Sequence, residues 1–255
     1  MVAKIKVNKK FDEAKEKIIK VIRKVKDLDF RNLLTSVFAN NEDHLMPQNI
    51  SNFERIMGAM SVVDRKYFTE FNCYVDEPMV IGHGQTISQP TTVARMLLMI
   101  DLKKKENVLE AGTGSGWNAA LMAYMVNPGK VITTERIYAL SKIAEKNIKM
   151  FIKKTNKKLN VKVVLADILD ENIEIWKNKY NKIVITAGVS YDNLRAINTM
   201  AVQLLKDNGM IIFPSSETGS YGALELWQKK GNALKRIERE EGYAFVPLLR
   251  KVQIR

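Results

Sequence analysis

VLEAGTGSGWNAA, residues Val108 to Ala120, decides the fold. An apolar run, VLEAG, leads into glycines at 112, 114 and 116, and a second apolar run, WNAALMAYMVN, follows them. Glycine lets the chain turn sharply and lets a ligand come close to the backbone. A helix beginning near Asn118 would aim its free amides at that ligand. Strand, glycine loop and helix together describe a nucleotide pocket. A dinucleotide loop needs a third small residue for close helix–strand packing, and Trp117 stands there instead. A phosphate-gripping P-loop needs Gly-Lys-Ser/Thr, which is absent.

Outward from the loop, short β-branched runs alternate with helical patterns: KVITTE, a lysine-striped helix, VKVVLAD, NKIVITAG, DNLRAINTMAVQLL and GMIIFPSS. This alternation predicts βαβ units on a parallel sheet. ALELWQKKG, ALKRIERE and YAFVPLL read as strands parted by Gly231 and Gly242, so the sheet is expected to end in an antiparallel portion. The expected fold is α/β, doubly wound, mostly parallel and Rossmann-like, with an antiparallel C-terminal portion and an N-terminal helical extension.

Glu135 ends the second strand, where an acid can accept both ribose hydroxyls of an adenosine. Asp167, at the end of the third, is placed to meet an adenine amino group. Either acid could instead cap the helix that follows. The loop and the strand-two acid together look like the S-adenosylmethionine site of class I methyltransferases. That likeness implies cofactor contacts from Glu110, Gly112, Thr113, Gly114, Gly116, Glu135, Arg136, Asp167 and Ile168.

Composition bounds the rest. A chain of 255 residues, 46% hydrophobic, can bury a large core. No apolar run reaches the length of a membrane span, and the basic start is not followed by a signal-type core, which points to the cytoplasm. One cysteine, Cys73, makes no internal disulfide, and with only His44 and His83 beside it no metal site is expected.

The net charge of +13 is concentrated. Residues 1–31 hold eleven Lys/Arg against five Asp/Glu, and residues 142–162 hold eight Lys against Glu145. These segments are either solvated lysine faces or contacts for an anionic partner such as RNA. Phe11, Ala14, Ile18, Ile22 and Val25 predict an amphipathic helix over about 10–27, read as a docking helix. Polar residues 40–52, with Pro47, read as a linker. Residues 1–45 are therefore read as a basic helical extension and 46–255 as the methyltransferase domain.

DEPMVIGHGQTISQPTTVARML (76–97) followed by the glycine loop resembles the protein-L-isoaspartate O-methyltransferase family, as do AMSVVDRKYF, VITTERI, ITAGV and YAFVPLL. The resemblance runs from Phe53 to Leu249. It implies methyl transfer from S-adenosylmethionine to the carboxylate of L-isoaspartyl residues in damaged proteins, which is protein repair. It also implies that Thr86 and Ser88 serve catalysis, while Gln85, Ile87, Thr91 and Val246 bind the substrate.

Neutral hydroxyls suit that chemistry. A carboxylate is already a nucleophile, so transfer needs alignment and desolvation and no general base. A lysine or arginine at contact would hold the ground state as firmly as the transition state and not raise the rate.

Thr91 stands where the family usually has His or Tyr, Ala166-Asp167-Ile168 where it has Gly-Asp-Gly, and Asn181-Lys182 where it has Asp-Ala or similar. Two alternatives accompany the repair reading: an RNA methyltransferase, and a cofactor-binding homologue without turnover. GQTISQP also allows a plainer role, with Ser88 or Thr91 capping the helix that starts near Pro90.

Overall fold

The computed structural model describes residues 2–170, 172, 179–215 and 221–253. Three helices come first: α1 (Val2–Arg23), α2 (Leu28–Asn41) and α3 (Ile50–Val62). A short hairpin, β1 (Met79–Gly82) and β2 (Gln85–Ile87), precedes α4 (Pro90–Ile100). Then β3 (Asn107–Ala111), α5 (Trp117–Val126), β4 (Lys130–Glu135), α6 (Tyr138–Thr155), β5 (Val161–Leu165), β6 (Tyr180–Ile185), α7 (Tyr191–Leu204), β7 (Leu205–Ser215), β8 (Gly222–Lys230) and β9 (Ala233–Tyr243) follow.

The seven-stranded sheet has the order β5-β4-β3-β6-β7-β8-β9. Its first five strands are parallel and its last two antiparallel, the mostly parallel α/β fold that the alternation predicts. Strand order reverses between β3 and β6, and a crevice for ligands opens outside the carboxyl ends of the strands at such a point.

Side chains alternate between two cores. Val108, Val131, Val184 and Ile212 enter one, while Leu109, Ile132, Ile183 and Ile211 enter the other. Both faces are covered, which is why these strands read as nearly continuous apolar runs.

The N-terminal helices differ from the expectation of a docking helix and a linker. The apolar stripe Ala14, Ile18 and Ile22 is buried in the same core as α3, α4 and α5, so α1 docks on its own chain. Most of residues 40–52 are ordered as helix ends: α2 reaches Asn41, a short turn covers Glu42–His44, and α3 starts at Ile50. In α2, Phe30, Leu33, Leu34 and Val37 form a helical stripe behind an Asp27 cap that accepts the Phe30 amide. The closing YAFVPLL is no strand: β9 ends at Tyr243, and beyond it Pro247 makes an isolated bridge with Gly188.

Candidate active site

The glycine loop joins β3 to α5 with all three glycines at positive φ: Gly112 at 95°, Gly114 at 52° and Gly116 at 89°. At Gly112 space also forbids a side chain, because a Cβ would lie 2.4 Å from Thr186 Oγ1. That hydroxyl donates to the Gly112 carbonyl at 2.7 Å, closing β6 over the loop. At Gly116 a Cβ would press on Ile148 and Ala144 of α6. Trp117 is buried and its indole N–H donates to Val63 O at 2.9 Å.

Glu135 lies at the carboxyl end of β4, 6% exposed. Its Oε2 accepts the Gly114 amide and its Oε1 the Ile137 amide, both at 3.0 Å. A carboxylate has about four acceptor sites, so each oxygen keeps one for a ligand hydroxyl. Gly112, Glu135, Arg136, Asp167 and Ile168 line one open cleft of about 440 Å³. Apolar Leu248 and Leu249 form another part of its wall. Two free carboxylate lone pairs beside a glycine loop and an apolar wall fit an adenosine.

Not every residue predicted for the cofactor faces that cleft. Glu110 is 0% exposed and lies beneath the loop, where its carboxylate accepts from Thr133 Oγ1 at 2.6 Å and Asn118 Nδ2 at 2.7 Å. Burial pushes its pKa up to about 7, against the pull of those two hydrogen bonds. Thr113 turns its hydroxyl to Thr133, and Gly116 packs on α6, so all three support the loop from below.

Asp167 lines the cleft but is already engaged. Oδ1 accepts from Leu169 N, and Oδ2 from Arg250 Nε at 2.8 Å and Lys251 N at 2.9 Å. Burial alone would raise its pKa, but these bonds outweigh burial and hold the carboxyl below its ordinary value. The C-terminal segment thus straps across the cleft, fastened again where Gln253 N donates to Arg136 O at 2.7 Å. YAFVPLL is a recognisable signature in the sequence, but nothing there marks Arg250 as a partner of Asp167.

A second, larger cleft adjoins the first through the neighbouring pairs Thr186–Ala187 and Val246–Pro247. Thr86 and Ser88 line it, on the same side of the β2 strip by the two-residue period of extended chain, together with Val246, Tyr243 and Phe245. Among the described residues no side chain or backbone group pairs with the Thr86 or Ser88 hydroxyl, and no Asp, Glu, Lys, Arg or His lines this cleft.

Three substrate expectations need correction. Ile87 points the opposite way, 4% exposed in the core, because alternate side chains of a strand face opposite sides. Thr91 does not line the cleft, since its hydroxyl donates to Asp76 Oδ2. Gln85 faces the cofactor cleft. Ser88 is also no cap, because the N-cap of α4 is Gln89 and the Thr91 amide is taken by Asp76 Oδ1 at 2.9 Å.

Arg65 was not anticipated. It is 0% exposed and donates to the carbonyls of Cys73, Val75, Glu77 and Ser88, with its guanidinium 5.5 Å from the Trp117 ring. Burial lowers its pKa to about 10, still far above neutrality. Of the departures from the family pattern, Asn181-Lys182 lies at the amino end of β6, away from both clefts, where Lys182 Nζ donates to Ile100 O at 2.9 Å.

Comparison with known proteins agrees with this geometry. The family model described as protein-L-isoaspartate(D-aspartate) O-methyltransferase matches residues 40–253. The protein-L-isoaspartate O-methyltransferase of Pyrococcus horikoshii is 39% identical over 215 residues, covering 80% of this chain and 89% of its own. That of Thermosipho melanesiensis is 38% identical, covering 68% and 82%. A Plasmodium falciparum protein described as a beta-aspartate methyltransferase, solved with S-adenosyl-L-homocysteine, superposes with a TM-score of 0.69 at 28% identity, over 84% of this chain and 97% of its own. With a glycine loop, a strand-two acid and a neutral hydroxyl strip in one crevice, and a family model matched across most of its length, the chain belongs to the protein-L-isoaspartate (D-aspartate) O-methyltransferase family.

Proposed function

We propose that this chain repairs damaged proteins by methylating the free carboxylate of L-isoaspartyl residues, with S-adenosylmethionine as the methyl donor. The observation that carries the reading is the neutral cleft beside the cofactor cleft, lined by Thr86 and Ser88, whose hydroxyls have no partner among the described residues. When bound, S-adenosylmethionine supplies an electrophilic methyl group. Gly112, Gly114 and Gly116 would shape its seat, Glu135 would accept its ribose hydroxyls, and Ile168 and Leu248 would offer apolar surface to its base.

The chain's own part in the reaction is alignment. Ser88 and Thr86 donate to one carboxylate oxygen and leave the other free to react. No proton has to be removed from a carboxylate, which accounts for a site with no basic side chain on its walls among the described residues. Phe245 and Val246 exclude water from that end of the cleft, which strengthens the two donor bonds. The product ester is activated for closure to a succinimide, in which the neighbouring backbone nitrogen displaces methanol, and hydrolysis of that ring can return a normal aspartyl linkage.

Methylation of RNA rests on the charge of segments 1–31 and 142–162 and on a glycine loop that many methyltransferases share, and among the described residues neither cleft is lined by either segment. We place the protein in the cytoplasm on its single cysteine; no helix among the described residues is long and apolar enough to cross a membrane.

Incubation with labelled S-adenosylmethionine and, in parallel, an isoaspartyl peptide, the matching aspartyl peptide and bulk tRNA tests the proposal. Base-labile label on the isoaspartyl peptide alone is expected. Label on tRNA, or none despite cofactor binding, would overturn it.

A further inference from the structure

We infer that helix α2 belongs to the substrate machinery: Asp76 and Thr91, tied to Ser36 and Asn40, are positioning residues that hold the Thr86–Ser88 strip in register with the reacting carboxylate. This rests on the reading of the neutral cleft as the isoaspartyl site.

One carboxylate gathers three parts of the chain. Asp76 lies ahead of the β1–β2 hairpin, and its Oδ1 accepts the Thr91 amide at 2.9 Å. That amide is an unpaired donor of the first turn of α4, and the N-cap residue Gln89 makes no side-chain cap bond. Oδ2 accepts from Thr91 Oγ1, from Asn40 Nδ2 at 3.0 Å and from Ser36 Oγ at 3.2 Å. The Asp76 carbonyl in turn accepts from Gln89 Nε2 at 3.0 Å. A helix cap requires one acceptor. Here four donors converge on one side chain, and two of them come from α2.

The strip needs such a tie. Thr86 and Ser88 ride on a hairpin whose strands are four and three residues long and which is not part of the seven-stranded sheet. A two-stranded hairpin is marginal by itself, so its placement comes from its flanks. One flank is Arg65 beneath, donating to Ser88 O at 3.3 Å. The other is the Asp76 junction, which fixes the exit of the strip three residues beyond Ser88. A displacement of about 1 Å at a reacting group can lower a rate by about a hundredfold. Asp76 does this without lining the cleft, so its charge is spent on four donors and not on the substrate.

The test measures peptide kinetics and S-adenosylhomocysteine affinity on the full chain carrying Thr91→Val, Thr91→Ser, Asn40→Ala or Asn40→Ala/Thr91→Val. Thr91→Val is expected to raise KM for the isoaspartyl peptide and lower kcat/KM about ten- to a hundredfold, the scale of one hydrogen bond to a charged acceptor. Thr91→Ser should recover to within about twofold, because it keeps the hydroxyl, and cofactor affinity should hold throughout. Asn40→Ala should act in the same direction, and the double variant should lose less than the product of the singles, since both donors share Asp76.

A folded Thr91→Val enzyme with unchanged kcat/KM, or one that loses cofactor affinity in parallel, would overturn the inference. Strictly multiplicative losses would remove α2 from it. If the unmodified chain binds cofactor but does not methylate the isoaspartyl peptide, the proposed function fails, and hydrogen exchange at the amides of residues 86–89 and 91 then tests the tie alone. Faster exchange in Thr91→Val supports the tie; unchanged exchange overturns it.

Discussion

Glu135 accepts the Gly114 amide at 3.0 Å, so the acid that faces the ligand cleft also fixes the loop that shapes it. Its other oxygen holds the Ile137 amide at the start of α6. Glu135→Ala is expected to weaken S-adenosylhomocysteine binding by about 1.5–3 kcal/mol, the scale for hydrogen bonds to a charged group. Glu135→Gln should lose nearly as much, because its amide nitrogen would meet a backbone N–H. Calorimetric titration of both variants checks this. Unchanged affinity with a lowered melting temperature would leave Glu135 as a cap only.

Ile18 on α1 is 0% exposed in the core shared with α3 and α5. Ile18→Ala should therefore cost about 2–5 kcal/mol, which for a chain of this size lowers the melting temperature by roughly 5–15 °C. Removal of residues 1–26 should lower it further, since Ala14 and Ile22 leave with it. Thermal unfolding followed by far-ultraviolet circular dichroism measures both. A truncated chain as stable as the whole would mean that α1 adds nothing to the core.

The fold was legible wherever one period dominated. β3, β4, β6 and β7 are buried on both faces and read as apolar runs, and the three glycines sit at the strand end where the pocket forms. α2 carries legible marks, an Asp27 cap and apolar residues at 30, 33, 34 and 37, whereas residues 40–52 read as a linker because of their asparagines and Pro47. The site divided differently. Gly112 and Glu135 are marked by local chemistry and Ser88 and Val246 by the family resemblance, and all four line the two clefts. Asp76, Arg65 and Arg250 act on partners 8 to 83 residues away, and no spacing in one sequence reports such a pairing. Ile87 was misplaced because which face a residue of a three-residue strand presents depends on the hairpin it joins, and Thr91, in the first turn of α4, because its hydroxyl is taken by Asp76, 15 residues away.

Glu110 makes stability depend on pH in a definite direction. Its folded pKa of about 7 lies above the ordinary 4.5, so the folded state holds the proton more tightly. The contribution is fully present below pH 4.5 and is lost as pH rises toward 7. Glu110→Gln is neutral throughout and escapes that loss, so from pH 5 to pH 8 its stability relative to the unmodified chain should rise by roughly 2–3 kcal/mol. Urea unfolding of the two proteins at several pH values gives the difference. Parallel curves would mean that Glu110 stays ionised in the fold.

Ser88 separates a catalytic role from a structural one. Its hydroxyl lines the neutral cleft without a partner among the described residues, while its carbonyl accepts from Arg65 and the cap of α4 is Gln89. A backbone contact survives the loss of a side chain, so Ser88→Ala should leave the melting temperature within about 1 °C, well inside the shift that a loss of about 1 kcal/mol would produce. Loss of one neutral donor to a carboxylate corresponds to about 1.5–3 kcal/mol, or roughly ten- to a hundredfold in kcat/KM for an isoaspartyl peptide. Affinity for S-adenosylhomocysteine should not change, because the glycine loop and Glu135 lie in the other cleft. Ser88→Thr keeps the donor but adds a methyl group, so it should retain more activity than alanine if the hydroxyl acts, and no more if the cleft only requires a small side chain. Steady-state kinetics and thermal unfolding on the same preparations decide it: a stable, cofactor-binding Ser88→Ala enzyme with undiminished kcat/KM would place the carboxylate elsewhere in the cleft.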